Sequence, residues 1–376
     1  MAASVTSTGA PAPRANPDLI GQEAAESAML AAWRSGRMPH AWLIGGPRGV
    51  GKATLAYRFA RFALAGGGEA ADGLFGAPAI DTLAIAPSHP VFRRVAAGGH
   101  ADLSTVERQI NPDTKKLRGE IVVDDVRDVG RFLHLTPVEG GWRVVIVDAA
   151  DEMNPNAANA LLKVLEEPPR QALLLLVSHA PGRLLATIRS RCRRLALPPL
   201  ASGHVAGLLD RFWPELASDD RGALVALADG SIGRALELAD RGGVELYRDM
   251  VGLLERAPEV DVPAVHEFAD RLARGGEDAA AGFRTAMELL AGWTGRLARR
   301  AAGVDAGKEI MTGEGAIETR LARDDGPERW IATWDKINLL ARRTESVNLD
   351  RRLVLIDAFL SLAGAPLARR AVDSAR

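Results

Sequence analysis

The chain has 376 residues, 47% hydrophobic and 25% charged, with a formal net charge of −1. This balance excludes a largely disordered chain, and it excludes a global basic field that would draw the molecule onto nucleic acid. A single cysteine, Cys192, excludes an internal disulfide and a structural zinc site built from several cysteines.

The first 17 residues, MAASVTSTGAPAPRANP, lack the apolar core of a secretory signal and read as a flexible tail. No apolar run reaches the eighteen or more residues that span a bilayer, so the expectation is a cytoplasmic protein with no membrane partner. From about residue 18 to 198, short apolar runs alternate with helical patterns. Strands are predicted at Ala41–Ile44, Ile121–Val123, Arg143–Val147, Ala172–Val177 and Arg194–Leu197. The run Leu173–Val177 is apolar on both faces, as suits a strand buried in a parallel sheet. One helix is predicted from Lys52 to about Leu64, with Leu55, Ala56, Phe59 and Phe62 on one face. Another starts after Asn154, where Asn caps and Pro155 suits the first helical position. Its apolar face is Ala158, Leu161, Leu162 and Leu165, and Pro168–Pro169 end it. Strands alternating with helices predict an α/β fold with a parallel sheet. Pro198–Pro199 mark a boundary, after which only helices are expected: a small domain of about three helices over 199–243, then a second helical domain over 244–376. Residues 303–328 break the helical pattern and read as a mobile loop.

The strongest local signal is Gly46-Pro-Arg-Gly49-Val-Gly51-Lys52-Ala53-Thr54, between a strand and a helix, which is the setting of a phosphate-binding loop. Its glycines let successive backbone N–H groups turn toward an anion, and the following helix adds its positive end. Lys52 is placed to contact the β- and γ-phosphates. The next position usually holds a Ser or Thr that binds Mg²⁺, but here it is Ala53. Thr54 lies about 100° further round the helix. The apolar run Val144–Val147 ends in Asp148, the acidic position expected beside such a loop. The following residue, where a hydrolysing enzyme places Glu, is Ala149. Asp151 and Glu152 come three and four residues after Asp148 and read as a solvated acidic turn. Candidate nucleotide-binding residues are therefore Gly46, Gly49, Gly51, Lys52, Thr54 and Asp148. ATP is the expected cofactor, with weak or no hydrolysis, and neither zinc nor another structural metal is expected.

Two further segments carry a family resemblance. Leu161–Pro169 (LLKVLEEPP) and Leu184–Cys192 (LLATIRSRC) resemble the clamp-loader branch of the AAA+ proteins. Ile20–Gln22, Pro39–Ile44 and Gly230–Leu236 are similar to other boxes of the same branch, so the resemblance covers about residues 18–240. It implies a RecA-like AAA+ P-loop domain followed by an all-α lid and an all-α C-terminal collar. In that branch the Ser190-Arg191-Cys192 tripeptide projects its arginine into the ATP site of a neighbouring subunit, so Arg191 is the expected catalytic residue, acting in trans. Ser178 stands where a polar side chain would monitor the γ-phosphate. The motor subunits of the branch keep Ser or Thr at the position of Ala53, Glu at that of Ala149 and arginine at that of Gly233. They also carry a cysteine zinc module where this chain has Ala65–Pro87.

Those departures imply a non-motor subunit of the bacterial DNA polymerase III clamp loader, with gamma/tau and delta subunits as partners. The sliding clamp and primed DNA would be met through the assembled complex. The alternatives are an ATP-hydrolysing motor of the gamma/tau type, or a nucleotide-binding P-loop module outside replication. The remaining candidates are weaker: His40 and His179 read as structural, Cys192 as a packing residue, and Lys115, Lys116 and Arg118 as a solvated basic turn.

Overall fold

The computed structural model describes residues 9–67, 81–139, 141–273, 276–304, 307, 309–347 and 349–363. They fall into two compact units. The first holds residues up to Glu215 together with Asp229–Arg234. The second holds Leu216–Ala228 and Ala235 onward. The division runs through the segment expected to form a separate lid.

The first unit is built on five parallel strands: β1 (Ala41–Gly45), β2 (Leu103–Glu107), β3 (Arg143–Asp148), β4 (Ala172–Ser178) and β5 (Arg193–Ala196). Their order across the sheet is β2-β3-β4-β1-β5. Every residue of β4 is buried, because helices cover both faces of a central strand. Alternation divides the side chains between the two faces. Val144, Ile146, Leu173, Leu175 and Val177 pack on one side with α1 (Glu23–Arg34), α2 (Lys52–Leu64) and α3 (Pro90–Ala96). Val145, Val147, Leu174 and Leu176 pack on the other with α4 (Val123–His134), α5 (Pro155–Glu166) and α6 (Ala186–Arg191). On the first side an aromatic group of Trp33, Trp42, Phe59, Phe62 and Trp142 meets edge to face and tilted, with Phe59 and Phe62 stacked. α7 (Ser202–Phe212) completes this unit.

Two expectations here are corrected. Ile121–Val123 is not a strand: Ile121 makes an isolated bridge to Met153, and Val123 opens α4. Ile121 is apolar because it is buried in the layer that α4 and α5 form on the sheet. The fifth strand is instead β2, an edge strand. Of its residues only Val106 is fully buried, so no apolar run advertises it. The tail assigned to residues 1–17 is also shorter than expected. Residues 1–8 lie outside the described residues, but 9–17 are held in place. Arg61, buried in α2, donates to the backbone oxygens of Arg14 and Asn16 at 2.9 and 2.7 Å, and Arg58 donates to that of Pro17. A composition rich in Ala, Pro and Ser concealed a segment ordered through its backbone rather than its side chains.

Beyond Leu197 the described chain is helical. α8 (Ser218–Leu227), α9 (Ile232–Asp240), α10 (Gly243–Leu254) and α11 (Val262–Ala273) are followed by the long α12 (Gly276–Ala301). Then come α13 (Glu314–Asp324), α14 (Pro327–Val347) and α15 (Arg351–Leu362). In the second unit α12 lies against α13 and α14, and α11 against α15. The expected loop over 303–328 is corrected by α13 and the start of α14. Glu314, Ile317, Glu318 and Leu321 recur at helical spacing and are all buried, but two of the four are acidic. An apolar periodicity cannot register a helix whose inner face carries charge. Those carboxylates are compensated. Glu314 accepts from the Tyr247 hydroxyl and from Arg296, and also from the backbone N–H groups of Ile310 and Met311 at 3.1 and 3.2 Å. Glu318 accepts from Arg300 Nε at 2.8 Å.

No helix among the described residues is long and apolar enough to cross a membrane.

Candidate functional site

Open parallel sheets bind ligands at the carboxyl ends of their strands, because loops and helix N-termini gather there. In the first unit that edge carries Glu107, Asp148, Ser178 and Gly45, neighbours by strand register. The loop Gly46–Gly51 leaves β1 there and enters α2.

The loop's glycines are structural requirements. Gly46, Gly49 and Gly51 have φ of +150°, +77° and +100°. A Cβ at Gly46 would lie 2.3 Å from the Leu197 carbonyl oxygen. At Gly49 it would lie 2.3 Å from Ser231 Oγ and 2.9 Å from Gly233 Cα. The loop is fastened on that side: Ser231 Oγ donates to the Arg48 carbonyl at 2.8 Å, and Gly233 N–H donates to the Gly49 carbonyl at 3.1 Å. On another side the Gln22 side chain donates to the carbonyls of Val50 and Pro198 at 3.2 and 3.0 Å. These contacts explain why Ile20–Gln22 and Gly230–Leu236, far apart in sequence, both carry recognisable patterns: each ends on the loop.

Lys52 is buried at the first position of α2. Its Nζ donates to the carbonyls of Gly46 and Pro47 at 2.7 and 2.5 Å. Burial lowers its pKa to about 8, against the opposing pull of Asp148 and Asp151. Asp148 is raised to about 6 by burial and by Glu107 beside it, and Lys52 works the other way. His179 is lowered to about 4, first by burial and then by Lys52. Shifted acids and bases gathered at one strand edge mark a candidate ligand site. Curled loop, helix N-terminus and lysine together suit a nucleotide phosphate. The site does not supply the hydroxyl that usually follows the lysine: Ala53 stands there, and Thr54 is buried in α2.

The acidic turn is corrected. Asp151 is half-buried, and its carboxylate accepts the backbone N–H groups of His179 and Ala180 at 2.8 and 3.2 Å. Burial pushes its pKa up, but the His179 N–H, the Ser178 hydroxyl and its own backbone N–H outweigh it and bring the pKa below the usual range. Glu152 pairs with Arg108 at 2.7 Å. Asp151 ties the end of β3 to the end of β4 and Glu152 is drawn aside, so neither is placed as a substitute for a water-polarising Glu after Asp148.

Arg191 lies elsewhere in the unit, as the last residue of α6. Its Nη1 donates to the Thr187 carbonyl at 3.0 Å and its Nη2 to Glu166 Oε1 at 2.8 Å. The next residue, Cys192, is buried in the core, and burial raises its thiol to about 11, which suits packing rather than reactivity. In the basic turn, Arg118 pairs with Asp125 at 3.6 Å, and the backbones of Asn111 and Lys116 bond across the turn. Sequence reasoning missed Glu166, Gln22 and Ser231 as partners of site residues. Gln22 and Ser231 lay inside quoted motifs, whereas the Glu166–Arg191 bond joins two motifs with no local signal between them.

A family model described as DNA polymerase III, delta subunit matches residues 21–201. The delta-prime subunit of Pseudomonas aeruginosa DNA polymerase III is 37% identical over 203 residues, 54% of this chain and 56% of that protein. The delta-prime subunit of Escherichia coli is 33% identical over 213 residues, covering 56% and 57%. A tau/gamma subunit of Haemophilus influenzae is 30% identical over 265 residues, 66% of this chain and 35% of that protein. The chain thus spans little more than half the length of the delta-prime relatives it matches.

Proposed function

We infer the function of this protein from the family of its N-terminal part: residues 21–201 belong to the delta-prime type of DNA polymerase III clamp-loader subunit. On that premise the chain is a cytoplasmic, non-motor subunit of the loader. It assembles with gamma/tau and delta subunits, and the complex places a sliding clamp on primed DNA. Residues 18–198 act as the AAA+ domain, 199–243 as lid and 244–376 as collar.

One observation carries the reading. The chain's own phosphate site keeps its loop, Lys52 and Asp148 but has Ala53 and Ala149 at two hydrolytic positions, while Arg191 stands at the partly exposed end of α6. Bound ATP would supply phosphate charge for Lys52 and the loop amides to hold. Without a hydroxyl after Lys52 and a carboxylate after Asp148, this chain's residues do little to move it forward. The catalytic contribution is instead Arg191, offered to a neighbouring motor's ATP. A guanidinium stays charged and can bind two phosphoryl oxygens, and an arginine supplied in trans contributes about 10³–10⁵ in rate.

The test is a loader reconstituted with gamma/tau and delta subunits. Arg191→Ala lowers ATP turnover at the dependent site by about 10³-fold while the complex still assembles by size-exclusion chromatography. The isolated chain shows no turnover. Unchanged turnover in the variant complex overturns the finger, and steady Mg-ATP hydrolysis by the isolated chain overturns the non-motor reading in favour of a motor.

A further inference from the structure

Glu166 is the last residue of α5, at the point where Pro168 and Pro169 stop the helix. Its carboxylate does not serve the helix it ends, because a negative charge in a last turn opposes the helix dipole. It does not serve stability through its ion pair either. Glu166 and Arg191 are 49% and 35% exposed at the side chain, and pairs so wet contribute little. What the carboxylate does is geometric. Glu166 Oε1 takes one N–H from Nη2 of Arg191, and the Thr187 carbonyl takes one from Nη1. A guanidinium is planar, so fixing both Nη atoms fixes the plane, and three of its five N–H groups stay available. Of the four arginines between residues 189 and 194, the carboxylate meets Arg191. Arg193 instead lies over the Trp42 ring at 4.9 Å. The contact therefore joins the two motifs that stood apart in the sequence, LLKVLEEPP and SRC, through their charged residues.

We propose that Glu166 is a positioning residue for Arg191: it holds the guanidinium in the orientation from which its remaining N–H groups meet phosphoryl oxygens of the neighbouring subunit's ATP. This rests on the in-trans role of Arg191 given above. A long side chain released from such a hold samples many rotamers, and misplacement of a reacting group costs rate rather than substrate affinity.

The experiment uses the reconstituted loader and reads kcat and KM for ATP in wild type, Glu166→Ala, Glu166→Gln, Arg191→Ala and the Glu166→Ala/Arg191→Ala pair. Glu166→Ala is expected to lower kcat on the order of tenfold with KM and assembly unchanged. Glu166→Gln, which keeps an acceptor oxygen, recovers part of the loss and also decides the matter if the alanine variant folds poorly. The double variant turns over no more slowly than Arg191→Ala alone. A Glu166→Ala complex with wild-type or faster kcat, beside a slow Arg191→Ala complex, overturns the positioning role while leaving the finger intact. A Glu166→Ala loss that persists on top of Arg191→Ala overturns it too. If Arg191→Ala itself changes nothing, the finger reading fails and this proposal with it.

Discussion

Both units bury charge, for opposite ends. In the helical unit Arg296, Arg300, Glu314, Glu318 and Tyr247 are bonded and paired with one another, and Glu314 also takes two backbone N–H groups. Burial raises Tyr247 well above its ordinary range. That cluster, with the buried Ile317 and Leu321 between its carboxylates, seats α13 on α12. In the sheet unit Lys52 opens α2 and Asp148 ends β3, with pKa values displaced to about 8 and about 6. Lys52's donors meet loop carbonyls rather than a carboxylate. The difference lies in the partners: the helical unit sets its charges against opposite charges, whereas Lys52 spends its donors on loop carbonyls, an arrangement that marks a candidate site rather than a seam between helices.

That contrast can be broken at its strongest point. Removing one member of a compensated cluster leaves its partners buried and unpaired, so Glu314→Ala should destabilise the helical unit by about 3–5 kcal/mol. Denaturant unfolding followed by the fluorescence of Trp293 and Trp330, both buried there, measures it. A loss below about 1 kcal/mol, the scale of an exposed ion pair, would mean that the cluster is not what seats α13.

The displaced charges give a pH signature. Burial holds the Lys52 pKa at about 8 in the folded chain, below its ordinary value of 10.5. Between those values the unfolded chain binds the extra proton, so stability rises with pH from about 8 toward 10. Lys52→Met should remove that rise from the unfolding profile of the sheet unit. An identical slope in wild type and variant would place the lysine in water rather than in the loop.

The smallest effect sharpens the comparison by isolating one local bond. Asn154 Oδ1 accepts the Ala157 N–H at 2.9 Å and caps α5, the helix that ends at Glu166. Asn154→Ala should cost about 1 kcal/mol in the same unfolding measurement.

Features carried by neighbouring residues were legible before the fold was known. The loop Gly46–Thr54 announced itself through glycine spacing and lysine, and the helix after Asn154 through its cap, its apolar face and its two stopping prolines. β1, β3 and β4 appeared as apolar runs because helices cover the sheet on both faces; β5, an edge strand of sequence RRLA with no buried residue, is not such a run. The missing hydrolytic groups at Ala53 and Ala149 were equally plain, since they are identities at positions. β2 was not legible, because an edge strand with one buried residue has no apolar signature. Nor was α13, whose inner face alternates Glu with Ile and Leu.

The sequence by itself determined the fold class, the phosphate loop and the arginine motif, because each is written in residues within a few positions of one another. Tertiary structure decided which side chains meet. It drew Asp151 onto the amides after β4, pressed Ser231 and Gly233 against the loop, and brought Glu166 to Arg191 across 25 positions of chain. Such pairings depend on where helices and strands end in space, and local spacing carries no record of that.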